Sequence, residues 1–203
     1  MFFLPTPTSL TLRGLAITYG IITTLLLTVE IIQRTYKIPV HVSHVQVFDF
    51  DFLVDPLEGA TLGTVYFAFS TAFLFGWFHE GWENGFPCGR AYLAIAGLMA
   101  MTFGDAFASI IGKTYGARKY RVIGDSRGRK TIEGSLANFI ATLISVFVFW
   151  WIMTPPAFST WDYFTGALVA AITSTCFEAI SPMGSDNITV PLGVAFTLSF
   201  LGY

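Results

Sequence analysis

Charge is scarce in this sequence: Asp, Glu, Lys and Arg make up 12% of its 203 residues, while 54% are hydrophobic and 17% aromatic. An ordinary soluble domain carries about twice that charged share, so a soluble fold is excluded. Cysteine is nearly missing too. Cys88 and Cys176 form no metal-ligand or disulfide pattern, and Cys176 sits inside an apolar run. Met1–Ser9 has no positive n-region and no small-residue cleavage site closes the first apolar run, so a cleavable signal is not expected. There is no repeat and no low-complexity tract. The formal net charge of −2 says little, and no nucleic-acid partner is expected.

What is present is a series of apolar segments. Six reach or approach the about 20 residues that a bilayer crossing takes. They are roughly Leu15–Ile32, Gly59–Phe78, Ala91–Gly112, Ser135–Met153, Tyr163–Ile180 and Ile188–Tyr203. Pro155-Pro156 breaks the chain after the fourth and Ser181-Pro182-Met183-Gly184 after the fifth; the last is short and contains Pro191. The expected fold is all-α, a polytopic membrane helix bundle with about six transmembrane helices, forming a single domain over 1–203. Val40–Val54 departs from this pattern. Val40, Val42, Val45 and Val47, then Phe48, Phe50 and Phe52, alternate with His41, Ser43, His44, Asp49 and Asp51. Alternation with a period of two reads as a strand or an extended interfacial segment.

The few charges are unevenly placed. Seven of the eleven Lys and Arg residues fall between Lys113 and Lys130. By the positive-inside bias, the loop between the third and fourth spans is expected to be cytoplasmic, or stromal in a plastid. Counting spans outward places the loops Gln33–Glu58 and Ser181–Asn187 on the same face, and Arg13 and Arg90 on the other.

Asp105 is the most informative residue. It lies inside the third span, where a carboxylate costs roughly 2.5–3.5 kcal/mol at mid-bilayer and therefore usually marks a site. Ala96, Ala100, Gly104, Ala108 and Gly112 recur every four residues and make a small-residue stripe suited to close helix packing. Asp105, Ser109 and Lys113 form a second row beside it. A carboxylate at that depth suits a buried Mg²⁺ ligand or a base acting on a lipid headgroup; a packing acid paired with Lys113 is the alternative. The loop beyond holds Arg118, Lys119, Arg121, Arg127 and Arg129 with the single acid Asp125. It ends in Lys130-Thr131-Ile132-Glu133-Gly134-Ser135, where a cation, a hydroxyl and a carboxylate beside a helix N-terminus make a plausible triphosphate–Mg²⁺ cradle. In the fifth span Gly166, Ala170 and Ser174 lead to Glu178, and Asp186 and Asn187 follow, either capping the sixth helix or joining the site.

Three apparent motifs fail on inspection. Gly112-Lys113-Thr114 would need a glycine at position 107, where Phe107 stands, and a preceding strand to be a phosphate loop. His79-Glu80 would need a second histidine where Glu83 stands. Asn187-Ile188-Thr189 is a formal glycosylation sequon at the expected cytoplasmic edge, where it goes unmodified.

Gly104-Asp105 with Ala108-Ser109, Gly112-Lys113, Tyr115-Gly116 and Lys119-Tyr120 resembles the CTP-dependent polyprenol kinase family. So do Lys130-Thr131-Ile132-Glu133-Gly134-Ser135 and Glu178 with Ser181-Pro182, Gly184, Asp186-Asn187 and Pro191. That family includes dolichol kinase, CTP-dependent diacylglycerol kinase and the phytol and farnesol kinases. The resemblance covers about Gly63 to Leu192, and the short Ser181–Asn187 loop is closest to the phytol/farnesol branch. It departs in the N-terminal quarter, where an Arg-Lys pair followed closely by His is replaced by Glu30, Arg34, Lys37, His41 and His44 at altered spacing.

The resemblance implies an enzyme that transfers the γ-phosphate of CTP, with Mg²⁺, to the hydroxyl of an isoprenoid alcohol dissolved in membrane lipid. Asp105 would then bind metal or activate the hydroxyl. Lys113, Lys119 and Lys130 would hold phosphates, aided by Arg118 and Thr131. Glu133 and Asp186 would complete the metal or nucleotide shell, and Asn187 would read the base. The closest rival is a CDP-lipid-forming cytidylyltransferase, which shares the Gly-Asp span and the Lys-Thr-x-Glu-Gly segment but carries a long acidic C-terminal signature absent after Gly184. From a different class, a non-catalytic membrane subunit or small transporter would use Asp105 and Glu178 as ion-relay acids.

Overall fold

The structure, a computed structural model, describes residues 17–25, 60–78, 82–83, 86–87, 90–122, 125–153, 158–181 and 185–203. Each of the six apolar segments contains a helix. They are α1 over 17–25, α2 (Ala60–Trp77), α3 (Ala91–Met99) continuing through a π-helical turn (Ala100–Asp105) into α4 (Ala106–Tyr115), α5 (Ile132–Met153), α6 (Thr160–Ile180) and α7 (Asp186–Phe200). Among the described residues, three stretches are long and apolar enough to cross a membrane: Ala91–Tyr115, Ile132–Ile152 and Thr160–Ile180. The apolar part of α2, Val65–Trp77, is shorter, as is α7. The alternating segment Val40–Val54 lies outside the described residues.

Among the described residues, two short antiparallel ribbons interrupt the helices: β1 (Trp82–Glu83) with β2 (Phe86–Pro87), and β3 (Lys119–Val122) with β4 (Asp125–Thr131). The second ribbon occupies what reads in the sequence as a basic loop. It pairs Tyr120 with Lys130 and Lys119 with Thr131, with an irregularity between Tyr120 and Val122. Its pairing is carried by backbone hydrogen bonds, which a charged, glycine-containing stretch does not advertise.

The bundle is arranged for lipid. On α5 the lipid-facing row is apolar and exposed (Leu136, Ile140, Ile144, Val148 and Ile152), while the buried row begins with polar Thr131, Asn138 and Thr142 and ends in Val146 and Trp150. Apolar side chains gain little by leaving hydrocarbon, so helices associate through small residues and internal hydrogen bonds. The expected small-residue stripe does this. Ala96, Ala100, Gly104 and Ala108 are buried, and a Cβ on Gly134 of α5 would stand 2.9 Å from the Ala108 carbonyl and 3.3 Å from Gly112 Cα. The backbones of α4 and α5 therefore cross in contact. In α6, Gly166 lies under the Trp150 ring, and Trp150 donates its indole N–H to the Tyr92 carbonyl at 3.3 Å.

α7 packs on α2, α3 and α6 despite a proline in its interior. Pro191 has no N–H to give to the Asn187 carbonyl one turn earlier. The Ser70 hydroxyl of α2 donates to that carbonyl at 2.6 Å instead. In a lipid-embedded bundle such a freed carbonyl has no water to turn to, so a neighbouring helix satisfies it. Ser70→Ala is expected to lower stability by about 1–2 kcal/mol. In a Pro191→Ala background, which restores the helical N–H, the same change is expected to cost less than half as much. Unfolding of the four variants in detergent checks this; equal costs in both backgrounds would show that Ser70 does not serve the proline-freed carbonyl.

Candidate active site at one end of the bundle

The β3–β4 ribbon, the start of α5, the end of α6 and the start of α7 meet at one end of the molecule, and Lys130 joins them. Its ammonium donates to the Glu178 carboxylate at 2.7 Å, to the Glu178 main-chain carbonyl at 2.5 Å and to the Asp186 carboxylate at 3.2 Å. The three side chains are 17%, 7% and 15% exposed. The carbonyl belongs to the last turn of α6, where the helix dipole favours a cation. Burial alone would lower the Lys130 pKa, but the charges of Asp186 and Glu178 and the hydrogen bond to Glu178 outweigh it and raise it above the usual lysine value.

A second tie runs beside the first. Ser135 donates to the other Glu178 oxygen at 3.2 Å, and the Tyr120 hydroxyl meets Ser135 at 2.6 Å. Burial, followed by the neighbouring Glu178 charge, raises the Tyr120 pKa against the opposing effects of Ser135 and Lys130. Two cross-strand partners of the ribbon, Tyr120 and Lys130, thus both end at Glu178.

Asp105 closes the π turn and lies in the field of Asp186, Lys130, Glu178 and Lys113. The residue is half-buried, and its carboxylate accepts no hydrogen bond among the described residues. A π turn widens a helix and is frequent at functional sites. This one touches α5, α6 and α7 as well as its own neighbours. Gly104, just before Asp105, lets α5 approach: a Cβ there would run into the Thr142 hydroxyl and stand 3.1 Å from the Asn138 amide.

The structure thus brings Asp105, Lys130 and Asp186 together and adds Glu178. Asn187 lies next to them on α7, its N–H donating to Asp186 Oδ1 at 3.1 Å and its side-chain amide close over Gly63 of α2. Lys113 is exposed but within the field of Asp105. Thr131 is buried and caps α5, accepting the Gly134 N–H at 3.1 Å. Arg118, just before the ribbon, and Lys119, its first residue, are exposed. Glu133 does not join the cluster. It accepts the Arg118 N–H at 3.2 Å and lines an apolar groove of about 950 Å³ between α4 and α5, with Phe103, Phe107, Ala137 and Ile140. Sequence reasoning did not single out Tyr120, Asn138 or Thr142 as separate contributors. The polar row Thr131, Ser135, Asn138, Thr142 at the start of an apolar helix was the available signal.

Among the described residues, no three carboxylate, imidazole or thiol groups form a ready metal cage. Mg²⁺ does not need one: it is commonly held by one or two carboxylates together with substrate phosphates. Asp186, with Glu178 on the same lysine, provides hard oxygen donors of that kind.

The sequence matches the cytidylyltransferase family over residues 6–177, and the chain belongs to that family. It is 33% identical over 133 residues to the phytol kinase of Synechocystis sp., covering 66% of this chain and 52% of that protein. It is 27% identical over 116 residues to the dolichol kinase EVAN of Arabidopsis thaliana, covering 57% of this chain and 19% of that protein. The chain thus spans about half the length of the first relative and a fifth of the second. No solved structure matches it. The resemblance to the polyprenol kinase group, on its phytol kinase side, is borne out.

Removing the lysine leaves two buried carboxylates facing each other. Lys130→Met is expected to cost about 3–5 kcal/mol, the range for breaking one side of a buried ion pair, and Glu178→Gln on that background should recover part of the loss. Because the folded-state pKa of Lys130 is raised, its contribution is complete below the ordinary value of 10.5 and fades as pH rises through the higher folded value. Melting curves against pH should show an alkaline decline in the wild type that is weaker in Lys130→Met. Matching declines would place the titration elsewhere.

Proposed function

We propose that the chain transfers the γ-phosphate of CTP to the hydroxyl of a membrane-dissolved isoprenoid alcohol, of the phytol, farnesol or geranylgeraniol type, giving a prenyl monophosphate. The observation that carries this reading is the Lys130–Glu178–Asp186 cluster beside Asp105, at the end of an apolar bundle where basic residues gather. The names of the two curated relatives supply the substrate class.

In-line phosphoryl transfer asks mainly for positioning and charge neutralisation. Lys130 and Lys113 supply positive charge toward the phosphates, and Arg118 just before the ribbon and Lys119 on it extend the cationic surface toward the nucleotide. Asp186 would help hold Mg²⁺, which would supply charge neutralisation along the phosphate chain. Asn187 contacts the base. Asp105, which accepts no hydrogen bond among the described residues, takes the proton of the attacking alcohol. Thr131 fixes the start of α5, and Glu133 fixes the ribbon through Arg118. The gathering of basic residues between Lys113 and Lys130 supports a cytoplasmic face for this end, or a stromal one in a plastid, by the positive-inside bias.

The matched family keeps a second reading in view, since the same residues would serve a cytidylyltransferase that makes a CDP-lipid. Labelled CTP separates the two. With membranes, Mg²⁺ and a prenyl alcohol, a kinase moves γ-label into lipid and releases CDP, whereas a cytidylyltransferase puts α-label into lipid and releases pyrophosphate. Asp105→Asn is expected to lower γ-label transfer by about 100-fold or more, the scale of a lost general base, while the protein stays membrane-inserted. Full activity in that variant would overturn the assignment.

A further inference from the structure

The apolar groove of about 950 Å³ lies on the lipid-facing side of the contact between α4 and α5. Phe103 of the π turn and Phe107 of α4 form one bank, Leu136 and Ile140 of α5 the other, and all four are exposed. Between the banks runs a half-buried row of α5 that reads Glu133, Ala137, Ala141, Ser145 and then Phe149. At 1.5 Å per residue this floor is about 24 Å long from Glu133 to Phe149. Ser145 brings no free polarity to it, because its hydroxyl donates to the Thr142 carbonyl at 3.2 Å.

The groove is polar at one end only, the end that carries the ribbon. Glu133, three residues beyond Lys130, has the only charge among the described residues that line it, and Tyr115 stands at the same end. Arg118 meets Glu133 through its main-chain N–H, while its exposed side chain is not part of the lining. In a bilayer an apolar chain gains little by exchanging lipid for a groove, so selection falls to the head group. A carboxylate accepts a hydroxyl proton in a charge-assisted hydrogen bond. The same carboxylate repels a phosphodiester or a phosphate monoester.

We propose that this groove captures the isoprenoid alcohol from the bilayer, its chain along the α5 floor and its hydroxyl on Glu133, a role that rests on the kinase reading above. The carboxylate fixes which way the chain points. It also separates the neutral alcohol from its phosphorylated product and from phospholipids, all of which share one membrane. The floor selects by length as well. A farnesyl, geranylgeranyl or phytyl chain lies within it, whereas a dolichyl chain runs far past Phe149. Capture happens at the end of the bundle that carries Lys130, and it acts on binding rather than on the transfer step.

The test uses the full chain in phosphatidylcholine nanodiscs without nucleotide, and a farnesol analogue with a photoreactive diazirine on its chain. Labelling of the wild type is expected to saturate and to map to α4 and α5 along the groove. Farnesol and phytol should displace the label, and farnesyl phosphate about tenfold less well or worse. Label spread over the exposed faces of α2, α6 and α7, or equal displacement by farnesyl phosphate, overturns the proposal. Label that farnesol leaves in place and added phosphatidylglycerol removes would assign the groove to a phospholipid and overturn it too. Ala141→Phe, which fills the floor, should abolish the label and raise the alcohol KM about tenfold, with kcat and the CTP KM unchanged, as when ground and transition states lose binding alike. Ile172→Phe, on the exposed side of α6, should alter neither reading. An unchanged alcohol KM in Ala141→Phe overturns the proposal. If wild type labels in the groove yet transfers no phosphate, the kinase reading fails and the prenyl-alcohol groove stands.

Discussion

One ammonium group holds the functional end together. Lys130 reaches from the last residues of the ribbon to the end of α6 and the start of α7, bonding three oxygens on two elements distant in sequence. Without it, the end of α6 would present Glu178 toward Asp186 with no counter-charge, in surroundings too dry to screen the repulsion. The ribbon, otherwise a surface hairpin, is anchored by the same contact and by Tyr120 on Ser135. The acids Asp105, Glu178 and Asp186 outnumber the cations that face them, Lys130 and Lys113. That imbalance fits a site completed by a divalent cation and a phosphate chain rather than by a larger protein network.

The bundle tolerates this because its interior is polar near the site and apolar beyond it. Along α5 the buried row passes from Thr131 through Asn138 and Thr142 to Val146 and Trp150. Along α6 the buried row Gly166, Ala170, Ser174, Glu178 grades the opposite way toward the same end. Small residues let the helices approach until the hydroxyls and amide can satisfy one another, as Ser174 and Asn138 do. The far end is held differently, by the ring packing of Tyr92, Trp150 and Phe158 and by Arg90 donating to the Ser199 carbonyl.

Much of this was legible in the sequence, because lipid makes each polar residue expensive and therefore conspicuous. Asp105 stood out for that reason, Lys130 and Asp186 for their places in polar loops on one face, and the three meet in space. The pairing of Lys130 with Glu178 was not legible: they are 48 residues apart and nothing local links them. Glu133 has the same chemistry as Asp186 but stands on the opposite side of α5, a distinction that depends on where β4 ends and the helix begins. The ribbon escaped notice because charged residues with glycine carry little strand signal. The capping role of Thr131 was hidden behind its place between a lysine and a glutamate.

The Gly104-Asp105 pair shows why two adjacent residues act as one device. Gly104 faces α5, and any side chain there would collide with the Thr142 hydroxyl and crowd the Asn138 amide. Asp105 belongs instead to the field of the residues from α6 and α7. The π turn, wider than a uniform α-helix, sets Asp105 half-buried where the turn meets α5, α6 and α7. Close approach to α5 and a carboxylate in the field of Asp186, Lys130 and Glu178 are separate demands. A glycine followed by an acid at the end of a π turn meets both, so either residue replaced alone would remove one half of the arrangement and leave the other without purpose.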